Sequence, residues 1–188
     1  VKVPDRVRWA LSVVDPGPAD RVLEIGCGPG VAAALICDRL ETGHLLAIDR
    51  SPVAVQRAAD RNASHVDAGR LEVRQSALDD LEVPAASLDK AFCVNVNLFW
   101  VRDPSAELTV LRKALRPGGI LYILYGDGPT GDDRVTPVIV EALERNGFVG
   151  VEVIEGAGFG VRGESPDRAQ GRQGGARHGS DQLGELGS

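Results

Sequence analysis

The residues of this sequence that could do chemistry lie in the stretch Glu24-Ile25-Gly26-Cys27-Gly28-Pro29-Gly30 and at Asp49. Glycines at every second position let a backbone turn sharply and come close to a bound molecule. Asp49 stands nineteen residues after Gly30. A carboxylate at that distance can accept hydrogen bonds from both hydroxyls of a ribose.

Two kinds of nucleotide cofactor use this arrangement, and the loop separates them. A dinucleotide needs G-x-G-x-x-G, with backbone N–H groups turned toward its pyrophosphate. Here Val31 stands where the third dinucleotide glycine would be, and Pro29 removes one N–H donor. S-adenosylmethionine carries a sulfonium cation and no phosphate, so it needs no anion nest. The acidic Glu24 beside the loop also suits a cation better than a pyrophosphate.

The elements that must position these residues alternate between strand-like and helix-like patterns, which predicts an α/β fold with a doubly wound, mostly parallel sheet. A first helix is expected over Pro4 to Val14, with Val7, Leu11 and Val14 on one face, and Asp15-Pro16-Gly17-Pro18 breaks it. Strands are expected at Arg21 to Ile25, Leu45 to Ile48, Leu71 to Arg74, Asp89 to Val96, Ile120 to Tyr125 and Val149 to Ile154. Val31 to Leu40 reads as a helix with an alanine-rich first turn that packs close to the sheet. Ser51-Pro52 starts another that runs to about Ala63, as N-cap and first helical residue. Asp103-Pro104 opens a helix striped by Leu108, Leu111 and Leu115 and stopped by Pro117-Gly118-Gly119. A last helix covers Val135 to Asn146, with Val138, Ile139, Ala142 and Leu143 inward. Gly158 to Arg162 reads as a short, antiparallel last strand. The expected domain is 1–162, and 163–188, rich in Gly, Arg and Gln, reads as a disordered tail.

The run Val22-Leu23-Glu24-Ile25-Gly26-Cys27-Gly28-Pro29-Gly30 resembles the first motif of class I S-adenosylmethionine-dependent methyltransferases. Asp49 and Leu115-Arg116-Pro117-Gly118-Gly119 follow in that family's order. Ser87-Leu88-Asp89-Lys90-Ala91-Phe92, leading to Asn95 and Phe99-Trp100, is similar to the fourth-strand region of its small-molecule type. The resemblance covers about Arg6 to Val161 and implies a Rossmann-like fold.

It also implies a cofactor contact set of Glu24, Gly26, Cys27, Gly28, Gly30, Asp49, Arg50, Ser76, Ala77, Leu78 and Asn95. Glu24, Gly26 and Gly28 would line the methionine end, Asp49 would hold the ribose, and Arg50 would flank the adenine. The family often has an acidic residue followed by alanine after the third strand. This chain has Ser76-Ala77-Leu78 instead, with either Asp79 as a substitute acid or backbone groups of Ala77 and Leu78 in that role. Asn95 and Asn97, two apart on one strand, would share a face. They serve either as ligand-binding groups or as satisfied structural amides. Asp103 and Asp127 are the candidate general bases, and no catalytic residue is assigned. Phe99 and Trp100 read as core or lid packing.

Composition sets the outer limits. The 188 residues are 43% hydrophobic and only 4% aromatic, so one domain packs on Val, Leu, Ile and Ala. A formal charge of -6 argues against a nucleic-acid backbone as partner. Cys27, Cys37 and Cys93 have no metal-ligand spacing, so no metal is expected. Without an apolar run of roughly 18 to 20 residues or a secretory layout, the expectation is a cytoplasmic protein with no membrane partner. The chain opens on Val1 and holds no methionine, which fits a processed or truncated piece or an unusual start. The expected activity is methyl transfer from S-adenosylmethionine to a small-molecule acceptor. The alternatives are a non-catalytic or truncated S-adenosylmethionine-binding module and, disfavoured by the glycine spacing, a nicotinamide-dependent oxidoreductase.

Overall fold

The computed structural model describes residues 3–126 and 132–167. Its centre is a seven-stranded sheet built from β1 (Arg21–Ile25), β2 (His44–Asp49), β3 (Leu71–Gln75), β4 (Leu88–Val94), β5 (Leu115–Gly126), β6 (Val149–Glu155) and β7 (Gly158–Glu164). The strand order is β3-β2-β1-β4-β5-β7-β6. The first five strands run parallel, and β7 lies between β5 and β6, antiparallel to both. The chain leaves β1 for β2 on one side and later returns to place β4 on the other. A crevice therefore opens beyond the carboxyl ends of β1 and β4, where open α/β sheets bind ligands.

Alternating side chains of the central strands feed two separate cores. Val22 of β1 packs with α1 (Asp5–Val14), α2 (Val31–Cys37) and α3 (Pro52–Arg61) through residues such as Leu11, Ile36 and Ala58. Leu23 and Ile25 pack on the other face with α5 (Leu98–Val101), α6 (Ser105–Ala114) and α7 (Asp132–Arg145), through Phe99, Leu108, Leu111 and Ile139. The buried face of α2 carries Ala32 and Ala33, so the helix after the glycine loop sits close to the sheet. A short α4 (Ala63–Asp67) follows α3 without having been anticipated as a separate helix.

Several expectations need correction. Val138 points outward and is 44% exposed, while Ile139, Ala142 and Leu143 are buried. The helix is straddled by the core at a narrower stripe than the run of apolar residues suggested. Helix α6 ends at Ala114, before Pro117-Gly118-Gly119: β5 already begins at Leu115, so Leu115 and the Pro-Gly-Gly run belong to the strand, which carries an irregularity in its pairing with β4. Glycine 163 is not the start of a tail. Strand β7 continues to Glu164, and Ser165 is buried, its N–H donating to Gly119 O and its carbonyl accepting from Gly118 N. The rest of the expected tail, from 168 on, lies outside the described residues.

Candidate cofactor and acceptor site

The glycine loop is held to β2 rather than left free. Gly26 N and Cys27 N both donate to Ile48 O, at 2.8 and 3.0 Å. Gly28 N donates to Asp49 Oδ2 at 3.0 Å, and Ser51 N donates to Oδ1 at 2.9 Å. Asp49 thus ties the loop to the start of α3 while both its oxygens keep lone pairs for a ligand. Ser51 Oγ accepts from Ala54 N and caps α3 as its sequence suggested.

Two glycines are required by backbone shape. Gly26 has φ +69°, and a Cβ there would stand 2.7 Å from Val96 Cγ2. Gly30 has φ +73°, and a Cβ would meet Asn62 Nδ2 at 2.6 Å and both Cα and Cβ of Ala58 at 2.9 Å. Asn62 locks this contact by donating to Gly30 O and Ala58 O. Gly30 is therefore a packing position, where α3 presses against the entry to α2.

Beyond these strand ends lies a cavity of about 600 Å³. From the expected contact set it is lined by Gly26, Asp49, Arg50, Ser76, Ala77, Leu78 and Asn95. Glu24, Cys27, Gly28 and Gly30 do not line it. Glu24, at the end of β1, and Cys27, within the loop, are both buried, and Gly28 acts through its N–H on Asp49. Burial, then the nearby Asp49, pushes the Glu24 carboxyl up to about 8, and its Oε2 has no hydrogen-bond partner. Burial, reinforced by Glu24 and Asp49, pushes the Cys27 thiol up to about 12, so it is no nucleophile.

The asparagines are arranged differently from the expectation. Strand β4 ends at Val94, so Asn95 and Asn97 share no strand face. Asn95 adopts φ +58°, a left-handed conformation that asparagine tolerates. Its Oδ1 accepts from Gly126 N at 2.9 Å, which clamps the ends of β4 and β5. Asn97 is the cap residue of α5, its carbonyl accepting from Trp100 N and Val101 N. Both are exposed rather than buried. Phe99 is core, as expected.

Of the two candidate bases, only Asp103 falls among the described residues. Asp103 does not line the cavity, and hydrogen bonds from Ser105, its hydroxyl first, hold its carboxyl below the ordinary range. Asp127 lies outside the described residues.

The sequence reading missed the far wall of the cavity: Leu98, Val101, Arg102 and Glu107. Glu107 is fully buried and its Oε1 accepts from Arg102 Nη2. A signal was present. Glu107 stands four residues before Leu111 and beside Leu108, so a helical reading puts an acid on the apolar stripe.

The site can be tested against S-adenosylmethionine on its own atoms. Asp49 has free acceptor capacity at the cavity wall. Glu24 is a buried carboxyl whose Oε2 has no hydrogen-bond partner, and a nearby cation would favour its ionised form. The residues fit the group. A family model described as a methyltransferase domain matches residues 22–119. The chain is 31% identical over 122 residues to trans-aconitate 2-methyltransferase of Azoarcus sp. (strain BH72), covering 63% of this chain and 45% of that protein. It is 29% identical over 125 residues to malonyl-[acyl-carrier protein] O-methyltransferase of Laribacter hongkongensis, covering 64% and 41%. The match thus spans less than half the length of either relative. Among solved structures, a SAM-dependent methyltransferase from Aquifex aeolicus superposes with a TM-score of 0.71 at 21% identity, covering 84% of this chain and 88% of that one. The chain belongs to the class I S-adenosylmethionine-dependent methyltransferases.

Proposed function

We propose that this protein transfers the methyl group of S-adenosylmethionine to a small-molecule acceptor. The observation that carries the reading is the single cavity that joins Asp49 and Gly26 at one wall to Val101, Arg102 and Glu107 at the other. It offers a ribose-binding acid and a second, chemically different wall in one concave space. The acceptors named for the two relatives, trans-aconitate and malonyl-[acyl-carrier protein], support an acceptor that is not nucleic acid. The net charge of -6 supports the same reading.

The bound cofactor supplies an electrophilic methyl on a sulfonium. The chain's own contribution is orientation and electrostatics. Asp49 orients the ribose through the lone pairs left over from Gly28 and Ser51. Glu24 gives the end of β1 a carboxyl that a neighbouring cation would help to ionise. The walls align the acceptor, and alignment alone supplies much of the acceleration in such a displacement. Ser76, Ala77 and Leu78 border the cavity where the adenine would lie, with Asp79 beside them. The catalytic unit is proposed to run through Ser165. Among the described residues no helix is long and apolar enough to cross a membrane, and a cytoplasmic location is proposed.

Calorimetry with S-adenosylhomocysteine, S-adenosylmethionine and NAD tests the reading. The first two should bind and NAD should not. Asp49→Ala should weaken adenosylhomocysteine by about 10- to 100-fold, the scale of one or two hydrogen bonds to a charged group. Tight NAD binding without adenosylhomocysteine, or an unchanged affinity in Asp49→Ala, would overturn it.

A further inference from the structure

We propose that Arg102, held in place by Glu107, grips a carboxylate of the methyl acceptor; this rests on the methyl-transfer reading above. Glu107 sits in the first turn of α6 with a side chain only 1% exposed, flanked by Leu108 and Leu111 of the core. A buried carboxylate is a poor source of stability even when paired, because desolvation offsets the attraction. Its Oε2 has no partner at all. An apolar residue would pack this position better.

What the acid does achieve is to fix Arg102. That side chain is 52% exposed and lines the cavity. Among the described residues, Glu107 is its one hydrogen-bonding partner. A guanidinium has five N–H donors in a rigid fork, so most remain for a ligand. The cavity wall carries two arginines. Arg50 follows Asp49 at the end of β2, on the ribose side. Arg102 is the positive charge among the cavity-lining residues contributed by β4, α5, α6 and their connections. The acids Asp79 and Asp80 come from the β3 side. Asp49, Asp79 and Asp80 outnumber Arg50 on the β1–β3 side, whereas Arg102 and the buried Glu107 balance on the β4–α6 wall, so that wall, with the unused N–H donors of Arg102, is the one suited to an anion. Planar, bidentate recognition of a carboxylate is what a pre-oriented arginine does best.

A carboxylate acceptor needs no general base. It is already ionised at neutral pH, so no proton has to be removed. In the transfer one carboxylate oxygen forms the new O–CH3 bond, the S–CH3 bond breaks, and its electron pair stays on sulfur. A second carboxylate, or the second oxygen of the same one, is free to face Arg102. Glu107 is a positioning residue, since it acts through Arg102.

The test is calorimetry on the full chain saturated with S-adenosylhomocysteine, with succinate, citrate and trans-aconitate as probes. At least one should bind the wild type. Arg102→Gln should weaken that probe by at least about tenfold, the scale of a lost charged hydrogen bond. Arg102→Lys should recover only part of the loss, because an ammonium keeps the charge without the fork. Glu107→Gln should fall between wild type and Arg102→Gln. Adenosylhomocysteine affinity should stay within about threefold in all of them. Absence of probe binding to the wild type, equal probe affinity in Arg102→Gln, or a parallel loss of adenosylhomocysteine would each overturn the proposal. The half-exposed Arg102 variants decide the matter if Glu107→Gln does not fold. Wild-type binding of adenosylhomocysteine reports separately on the methyl-transfer reading.

Discussion

The two walls of the cavity are held together in different ways. On the β1–β2 wall the main chain does the work: Gly26, Cys27 and Gly28 donate backbone N–H groups to Ile48 and Asp49, and Gly30 lets α3 press against α2. On the β4–α6 wall side chains do it: Asn95 clamps Gly126, Tyr125 reaches Val96, and Glu107 fixes Arg102. A backbone-built wall makes rigid demands on residue type, because only glycine fits a positive φ beside a crowded neighbour. A wall built from side chains can change its chemistry one residue at a time. Under the proposed function, the backbone-built wall is the cofactor side and the side-chain-built wall is the acceptor side.

Breaking the backbone wall should have the largest effect. Gly30→Ala forces a left-handed alanine into atoms 2.6 to 2.9 Å away, two of them in the Ala58 backbone and Cβ. We expect a loss of roughly 2–4 kcal/mol from strain and overpacking together, seen as a fall in Tm of about 10 °C. A Tm within a degree of wild type would mean that α3 moves away without cost.

A smaller effect sharpens the electrostatics of the same wall. The Glu24 carboxyl is raised to about 8 in the ligand-free fold, by burial first and by Asp49 second. The folded state therefore holds a proton that the unfolded chain has released, from the ordinary carboxylate range up to that value. The associated stability is complete in acid and is lost as pH rises through about 8. Glu24→Gln cannot ionise, so it should gain on the wild type in urea unfolding between pH 6 and pH 8. Parallel pH profiles for the two proteins would show that Glu24 stays ionised when folded.

The smallest change probes the side-chain wall. Tyr125 donates its hydroxyl to Val96 O at 2.6 Å and stacks on Phe159 with ring centroids 5.3 Å apart. Burial raises the phenol, so it remains a neutral donor. Tyr125→Phe keeps the stack and removes one hydrogen bond, which should cost about 1 kcal/mol in denaturant unfolding. Adenosylhomocysteine affinity should barely change. A large loss of affinity would mean that Val96 governs the glycine loop as firmly as Ile48 does.

The backbone-built wall was legible in the sequence for a physical reason. Its requirements fall on residue types at fixed spacing: glycines at the turn, an acid at the end of the next strand, a Ser-Pro start to α3. The side-chain wall was legible only in part. Asn95 was noticed, but as one of two amides on a strand face. The strand stops at Val94, and a hydrogen bond from Gly126, thirty-one residues away, decides the asparagine's role. Glu107 went unread because an acid in the first turn of a helix is ordinarily a favourable surface charge. Its place on the apolar stripe beside Leu108 was the one local sign of burial, and contact with the core decides it.

The sequence by itself determined the alternation of strands and helices, the two apolar faces of the sheet and the backbone geometry of the glycine loop. These follow from local periodicity and from the steric limits of single residues. Tertiary structure decided that β7 slips between β5 and β6, that Val138 faces outward, and that Arg102 and Glu107 meet at the cavity. Those outcomes depend on which distant segments come together, and no local pattern encodes that distance.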